Sequence, residues 1–340
     1  MLDELLAPYA GDLECHLDYI VRTRDGTLFL AGGAHSTFAY KLGMMQVEPA
    51  SFEAFETNLL ARMKYCADRG ITYLHAITPD KETVMTASLP VGMQLTSLID
   101  RYREACTVPF LDLRPDVPVD DAFYRTDSHW YLPLQQQAGL RMARMLGADE
   151  AEIAAADARL TAARGETVDY SGDLGSQIEP QQTEKIQRFH PNWAKGTWLK
   201  TVGGWNDGMM HIFRNPAAPP RRLLVFGDSF GRATCNHLSL FFSEILFCRS
   251  GHFHKEMVDM MQPTHVLTQQ VERFLDRVYP DAEAPRFLLI PGVNGTDAEA
   301  WPAFWQDLNA VLSPRVEPVP EIELTPLQSF VARLFRIPTA

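Results

Sequence analysis

Apolar residues along the chain fall into two alternating rhythms. Short apolar runs bounded by Gly or Pro read as buried strands, and apolar positions recurring every three or four residues read as amphipathic helices. Thr27–Leu30 is a strand candidate that stops at Gly32-Gly33. Phe52, Phe55, Leu59, Met63 and Cys66 then line one helical face, with Ser51 placed to cap it and Gly70 to end it. Ile71–Ile77 predicts a strand broken by Pro79, Leu95–Cys106 a helix and Val108–Leu113 another strand. In Leu134–Leu146 a helix is predicted with Leu134, Ala138, Met142 and Met145 on one face. Further on, Arg222–Phe226 predicts a strand that turns at Gly227 into a helix over Phe230–Phe242. Ile245–Cys248, Thr264–Thr268 and Phe287–Ile290 complete the set of short apolar strands. Strands separated by helical patterns imply parallel βαβ units and a doubly wound sheet.

From about 160 to 210 this rhythm stops. The stretch is rich in Gly, Gln and Trp, holds Trp193, Trp198 and Trp205, and predicts an irregular insertion, either a lid over a site or an inert excursion. Pro recurs from Pro314 to Pro326, which predicts an extended tail ending in a short apolar helix, Leu327–Phe335. A length of 340 residues favours one domain with elaborations: an N-terminal segment (1–20), a main domain (21–280) and a C-terminal extension (281–340).

Charge narrows the partners. The formal net charge is −12, so a nucleic acid or an anionic membrane meets mostly repulsion. The five cysteines (Cys15, Cys66, Cys106, Cys235, Cys248) show no CxxC spacing and predict no disulfide framework. Met1-Leu2-Asp3-Glu4-Leu5-Leu6 lacks the basic start of a signal peptide, and no apolar run reaches the roughly 18–20 residues that span a bilayer. Taken alone, these features predict a cytoplasmic chain.

The chemistry concentrates in two places. In Leu223-Leu224-Val225-Phe226-Gly227-Asp228-Ser229-Phe230 a buried strand meets a tight turn, and Ser229 opens the next helix. Amides at a helix N-terminus are suited to hold a developing oxyanion, which makes the position productive for a nucleophile. The plainer alternative is that Asp228 or Ser229 caps the helix. A serine needs a base, and the base needs an orienting group. Tyr124-Arg125-Thr126-Asp127-Ser128-His129-Trp130 supplies both, with Asp127 and His129 two residues apart in a segment read as extended. A third group, Cys248, His252, His254 and Asp259 with His265 nearby, contains His-x-His but no second ligand pair, so neither a metal nor a cofactor is expected.

Together the two motifs resemble the SGNH-hydrolase-like domain of the bacterial polysaccharide O-acetyltransferases of the alginate type, the AlgX/AlgJ family. That family places a Thr-Asp-Thr-His-Trp-like motif before a Gly-Asp-Ser-like block, an order permuted relative to ordinary SGNH esterases. The chain has this order. Asp25-Gly26-Thr27-Leu28-Phe29-Leu30 is similar to the family's opening strand, with Thr27 where the family has Trp. Pro79-Asp80-Lys81-Glu82, Leu111-Asp112-Leu113-Arg114-Pro115, Gly172-Asp173-Leu174-Gly175 and Pro263-Thr264-His265-Val266 through Leu275 resemble later segments.

The resemblance implies an SGNH-like three-layer α/β/α fold with a mostly parallel sheet and circularly permuted motif order. It implies Ser229 as acyl nucleophile, His129 as general base and acid, and Asp127 as orienter of His129. The expected function is O-acetylation of a polysaccharide through an acetyl-serine intermediate, the acyl group coming from a membrane acyltransferase. The alternatives are an acetyl esterase using the same triad, and an idle module that binds glycan or a partner. Trp193, Trp198 and Trp205 are candidates to line a glycan cleft, or else to anchor their segment to the core. Because the family works on exported glycans, the resemblance also implies a periplasmic alternative to the cytoplasmic reading.

Overall fold

The computed structural model describes residues 2–116, 121–199, 207–293 and 302–312. The chain opens with helix α1 (Leu2–Leu6) and a three-stranded antiparallel sheet of β1 (Leu13–His16), β2 (Ile20–Thr23) and β3 (Leu28–Leu30). Helix α2 (Thr37–Lys41) follows, then α3 (Pro49–Ala67), β4 (Thr72–Thr78), α4 (Lys81–Val84), α5 (Leu98–Ala105) and β5 (Leu111–Asp112). After them come α6 (Leu132–Met145), α7 (Glu150–Ala162), β6 (Arg164–Tyr170), β7 (Glu184–Phe189), β8 (Lys195–Leu199) and β9 (Met210–Arg214). The last part holds β10 (Arg222–Gly227), α8 (Ser229–Leu238), β11 (Glu244–Arg249), α9 (Lys255–Met261), β12 (His265–Val271), α10 (Leu289–Val293) and α11 (Pro302–Leu312).

The residues form two compact units: 1–60, 75–191 and 270–279 make the first, and 61–74, 192–269 and 280–340 the second. Strands β4 and β12 each carry residues of both. A seven-stranded sheet runs in the order β5-β4-β12-β10-β11-β9-β8. Its middle is parallel, β10 lying between β12 and β11 with Leu224 opposite Val266 and Leu246. At one edge β9 pairs antiparallel with β11, and β8 pairs antiparallel with β9, so β9 opposes the parallel strands and β8 runs with them.

Within the second unit the reason for the run Leu223-Leu224-Val225-Phe226 is plain, because all four are buried and β10 is covered on both faces. Leu224 and Phe226 share a core with Leu246 and Cys248 of β11, Met257, Val258 and Met261 of α9, and Phe304 and Leu308 of α11. The opposite face of β11 carries Phe247, whose ring a Cβ added to Gly231 of α8 would meet at 3.5 Å. Helix, sheet and helix thus form the layered α/β arrangement expected. In the first unit, Leu2, Leu6, Leu13, Val21, Phe29 and Phe38 build a separate core under the antiparallel sheet.

Several expectations are corrected. Ser51 lies inside α3, where its hydroxyl accepts from the Val278 amide (3.2 Å), and Met63 and Met145 are exposed instead of facing the core. Phe287–Ile290 is no strand: Phe287 is buried and Leu289–Val293 is helical. The described part of 160–210 is not all irregular, since β6 and β7 pair as an antiparallel ribbon and β8 joins the edge of the large sheet. The N-terminal segment also contributes β1, paired with β2. Trp205 and the tail helix over 327–335 lie outside the described residues. No disulfide joins the five cysteines, and among the described residues no helix is long and apolar enough to cross a membrane.

Candidate active site

Asp127 and His129 belong to the first unit. They sit in a loop bracketed by an antiparallel bridge between Phe123 and Trp130, not in an extended strand as expected. The Asp127 carboxylate folds forward over the chain: Oδ1 accepts from the His129 amide (2.8 Å) and faces His129 Nδ1 at 2.7 Å. This is an Asx turn, in which a short side chain closes on a backbone N–H two residues on. A carboxylate can only accept, so Nδ1 is the donor to Asp127 and Nε2 is the ring nitrogen turned away from it.

The other oxygen of Asp127 is also occupied. Tyr170 donates its hydroxyl to Oδ2 (2.5 Å), and the Asp173 amide donates to the same atom (3.1 Å). Four donors therefore fill the four lone-pair directions of one buried carboxylate. Burial works to raise the Asp127 carboxyl, but the bonds from His129 and Tyr170 outweigh it and hold the group well below the usual carboxylate range. Asp173 is pushed the other way, by burial and then by the Asp127 charge, while its own carboxylate accepts from the Ser128 amide and hydroxyl, both at 2.6 Å.

The loop is fixed from two further sides. Glu184 accepts from the Arg125 and Thr126 amides (2.9 and 2.7 Å) and from the Thr126 hydroxyl (2.6 Å). Lys81, fully buried, donates to the carbonyls of Leu28 (2.6 Å), Arg125 (3.0 Å) and Asp127 (3.1 Å). Burial pulls the Lys81 ammonium down to about 7 against the opposing charges of Glu184, Asp127 and Asp173. Beside it lies a denser cluster, in which Lys41 meets Asp80 (3.3 Å), Glu82 (2.7 Å) and Glu272 (3.1 Å), and Arg273 meets Asp80 (2.6 Å).

Ser229 belongs to the second unit, as the first residue of α8 and two residues past Gly227, the last residue of β10. That is the C-terminal end of a central parallel strand, where open α/β sheets place their ligands. The capping alternative holds for its neighbour: Asp228 Oδ1 accepts from the amides of Phe230 (2.8 Å) and Gly231 (3.4 Å). Those two amides are therefore committed to Asp228, contrary to the expectation that the helix N-terminus as a whole faces a ligand. At Gly227 a Cβ would stand 2.5 Å from the Gln269 carbonyl oxygen, so β10 and β12 close against each other only with glycine there.

The other candidates separate. Trp193 is half-buried and donates to the Asn236 carbonyl (3.1 Å) and Ser239 hydroxyl (3.0 Å), which anchors its segment to the end of α8. Trp198, on β8, is 46% exposed and meets His211 edge-on. Cys248 is buried in the second core, His254 bonds Ser250 (2.7 Å), Asp259 bonds Tyr65 (2.5 Å), and His265 bonds Thr264 (2.8 Å), so these residues form no common ligand set. Among the described residues Asp127, His129 and Asp173 bring potential ligand atoms within 4.8 Å of one another, but His129 Nδ1 is already committed to Asp127. Tyr170 and Glu184 carry no motif signal of their own. Asp173 and Lys81 stand in segments that resemble the family, yet their spacing carries no signal of these contacts.

The fold resembles solved structures at low identity. Bacillus cereus PatB1 with a sulfonyl adduct is 12% identical, covering 77% of this chain and 97% of that one at a TM-score of 0.54. A DHHW family protein from Eubacterium siraeum DSM 15702 is 14% identical, covering 79% and 96% at 0.51. The O-acetyltransferase domain of Pseudomonas putida AlgJ is 17% identical, covering 78% and 96% at 0.46. No curated protein matches. The mostly parallel sheet flanked by helices, with its permuted motif order, defines an SGNH-like α/β fold. The chain belongs to the family described as SGNH hydrolase-like domain, acetyltransferase AlgX, whose model matches residues 37–288.

Proposed function

We propose that this chain is a serine O-acetyltransferase that acetylates hydroxyls of a polysaccharide. The observation that carries the reading is the Asp127–His129 pair: a buried, fully hydrogen-bonded carboxylate 2.7 Å from Nδ1, which leaves Nε2 as the basic atom of a half-buried imidazole. In a family of acetyltransferases, that is the equipment of a general base. Ser229 supplies the nucleophile. His129 takes its proton as Oγ attacks the acetyl carbonyl, then returns a proton to the departing donor. In the second half a sugar hydroxyl gives its proton to His129 and attacks the acetyl-serine ester; the Oγ–acyl bond breaks, His129 returns the proton to Ser229 Oγ, and the acetylated glycan leaves. The donor in this reading is delivered by a membrane acyltransferase, and an exported acceptor goes with the periplasmic expectation.

The test uses the whole chain and an activated acetyl ester. Intact-protein and peptide mass spectrometry should find an acetyl group on Ser229, and addition of oligosaccharide should move it to the sugar. Acetyl-Ser229 that yields only free acetate with every glycan tried would make the chain an esterase. No acyl-enzyme, and no adduct on Ser229 with a sulfonyl fluoride, would end the reading.

A further inference from the structure

Tyr170 has no place in a three-residue scheme, yet its hydroxyl touches the group that orients the base. It closes β6, and its ring lies 5.2 Å from that of Tyr124, which in turn lies 4.8 Å from Tyr131. This tyrosine stack fixes the ring from the side, while the following turn at Ser171-Gly172-Asp173 brings the Asp173 amide to the same carboxylate oxygen. From the geometry we infer that Tyr170 is a fourth member of the relay, a positioning residue that acts on His129 through Asp127. The inference rests on the proposed roles of Asp127 and His129.

The physical argument follows the carboxylate. Oδ1 holds both the ring and the backbone of His129, so any rotation of the Asp127 carboxyl plane carries Nδ1 with it. On the far side Oδ2 is held by one side-chain donor, Tyr170, and one backbone donor, Asp173. The phenol does two things. It resists rotation, and it draws negative charge toward Oδ2 and away from Nδ1, which tempers the attraction of Asp127 for a charged imidazolium. A charge-assisted hydrogen bond of this kind is stronger than a neutral one, and burial together with the Asp127 contact raises Tyr170 above the ordinary phenol range, so it remains a donor through neutral pH. Of the other ionisable groups, Asp173 lies 3.6 Å from Nδ1, Lys81 donates to the Asp127 carbonyl at 3.1 Å, and Tyr124 feels the Asp127 charge.

Tyr170→Phe keeps the ring in the stack and removes only the donor. The expected result is a fall in kcat for ester turnover on the order of tenfold, with KM unchanged and the acidic limb of the pH–rate profile displaced to higher pH by roughly half to one unit. A double-mutant cycle separates relay from scaffold. If Tyr170 acts through Asp127, adding Tyr170→Phe to Asp127→Asn costs nothing further; an equal loss in both backgrounds, or no loss in the parent, overturns the inference. The low-field proton resonance of the Asp127–His129 hydrogen bond gives a readout independent of turnover. It should move in Tyr170→Phe, and an unmoved resonance in a folded variant also overturns the inference. Failure of the acetyltransferase reading looks different, because Asp127→Asn alone would then leave turnover intact while the resonance still responded to Tyr170.

Discussion

Gly172 lies so close to Asp127 that a Cβ added to it would stand 2.4 Å from the Asp127 Cβ and 2.4 Å from the Thr126 carbonyl oxygen. Both obstacles sit at or beside the backbone, where no side-chain rotation relieves them. The Gly172-Asp173-Leu174-Gly175 segment is thereby pressed onto the Asp127 loop, its Leu174 and Gly175 amides bonding the Thr126 carbonyl (3.2 and 2.8 Å). Gly172→Ala is therefore expected to lower stability by about 1–3 kcal/mol, the usual range for overpacking, and to reduce turnover further by moving the Asp173 amide off Asp127. Gly251→Ala is the control, since a Cβ there meets nothing within 4 Å. Urea unfolding and ester turnover on both variants check the contrast.

Asp228 and Ser229 are adjacent but should answer differently to alanine. Asp228 holds two amides of α8, and its loss should cost about 1 kcal/mol, the typical value of an N-cap. Ser229→Ala should leave the melting temperature nearly unchanged and abolish acetyl-enzyme formation. His129→Ala should lower turnover by a factor on the order of hundreds to ten thousand, and Asp127→Asn by less. Mass spectrometry of the acylated chain and calorimetry of the same samples distinguish the cap from the nucleophile.

Lys81 gives stability a pH dependence of definite sign. An unfolded lysine keeps its proton to about pH 10.4, whereas the buried ammonium releases it near 7. Between those values the unfolded chain binds more protons, so stability rises with pH, by at most about 1.4 kcal/mol per unit from this group. Lys81→Met should remove that rise. It should also reduce turnover, because the Asp127 carbonyl loses its 3.1 Å donor. Urea midpoints of parent and variant across pH 7–10 test the slope, and parallel curves would refute it.

The Lys41 cluster should fail in a characteristic way. Lys41→Met leaves Asp80, Glu82 and Glu272 buried together without the cation that touches all three, and breaking such a group typically costs about 3–5 kcal/mol. Burial already pushes Glu82 up to about 7, against the pull of Lys41. Removing that pull favours protonation further, so the deficit relative to the parent should shrink as pH falls from 8 to 5. Unfolding curves at the two pH values measure it.

What the sequence disclosed follows from burial. A strand covered on both faces must be apolar at successive positions, and Leu223 to Phe226 is such a run; the glycine after it marks where β12 comes within contact of the turn. The ribbon of β6 and β7 leaves no sequence signal because most of its residues are exposed or half-buried, so no alternation of apolar and polar residues betrays it. Phe287–Ile290 misled for the opposite reason, since four apolar residues suit a strand or one turn of a buried helix equally well. Asp127 and His129 were visible because their contact is local. The link from Tyr170 to Asp127 spans 43 positions and exists only once Gly172 has folded against the loop, so no spacing rule announces it.

The place of Glu272 bears on how the chain is made. It accepts from the Asp80 and Leu98 amides (2.9 and 2.8 Å) and from the Thr83 and Ser97 hydroxyls (both 2.6 Å), and it pairs with Lys41. All of these partners belong to the first unit, yet residues 270–279 leave the ribosome only after most of the second has been synthesised. Domains usually fold in the order of their synthesis, but here the earlier unit waits for a late segment to neutralise and satisfy its buried centre. A nascent chain stopped at Pro191 would hold Lys41 without Glu272 and Asp80 without Arg273, so the first unit matures as part of the whole chain and not as an intermediate of its own.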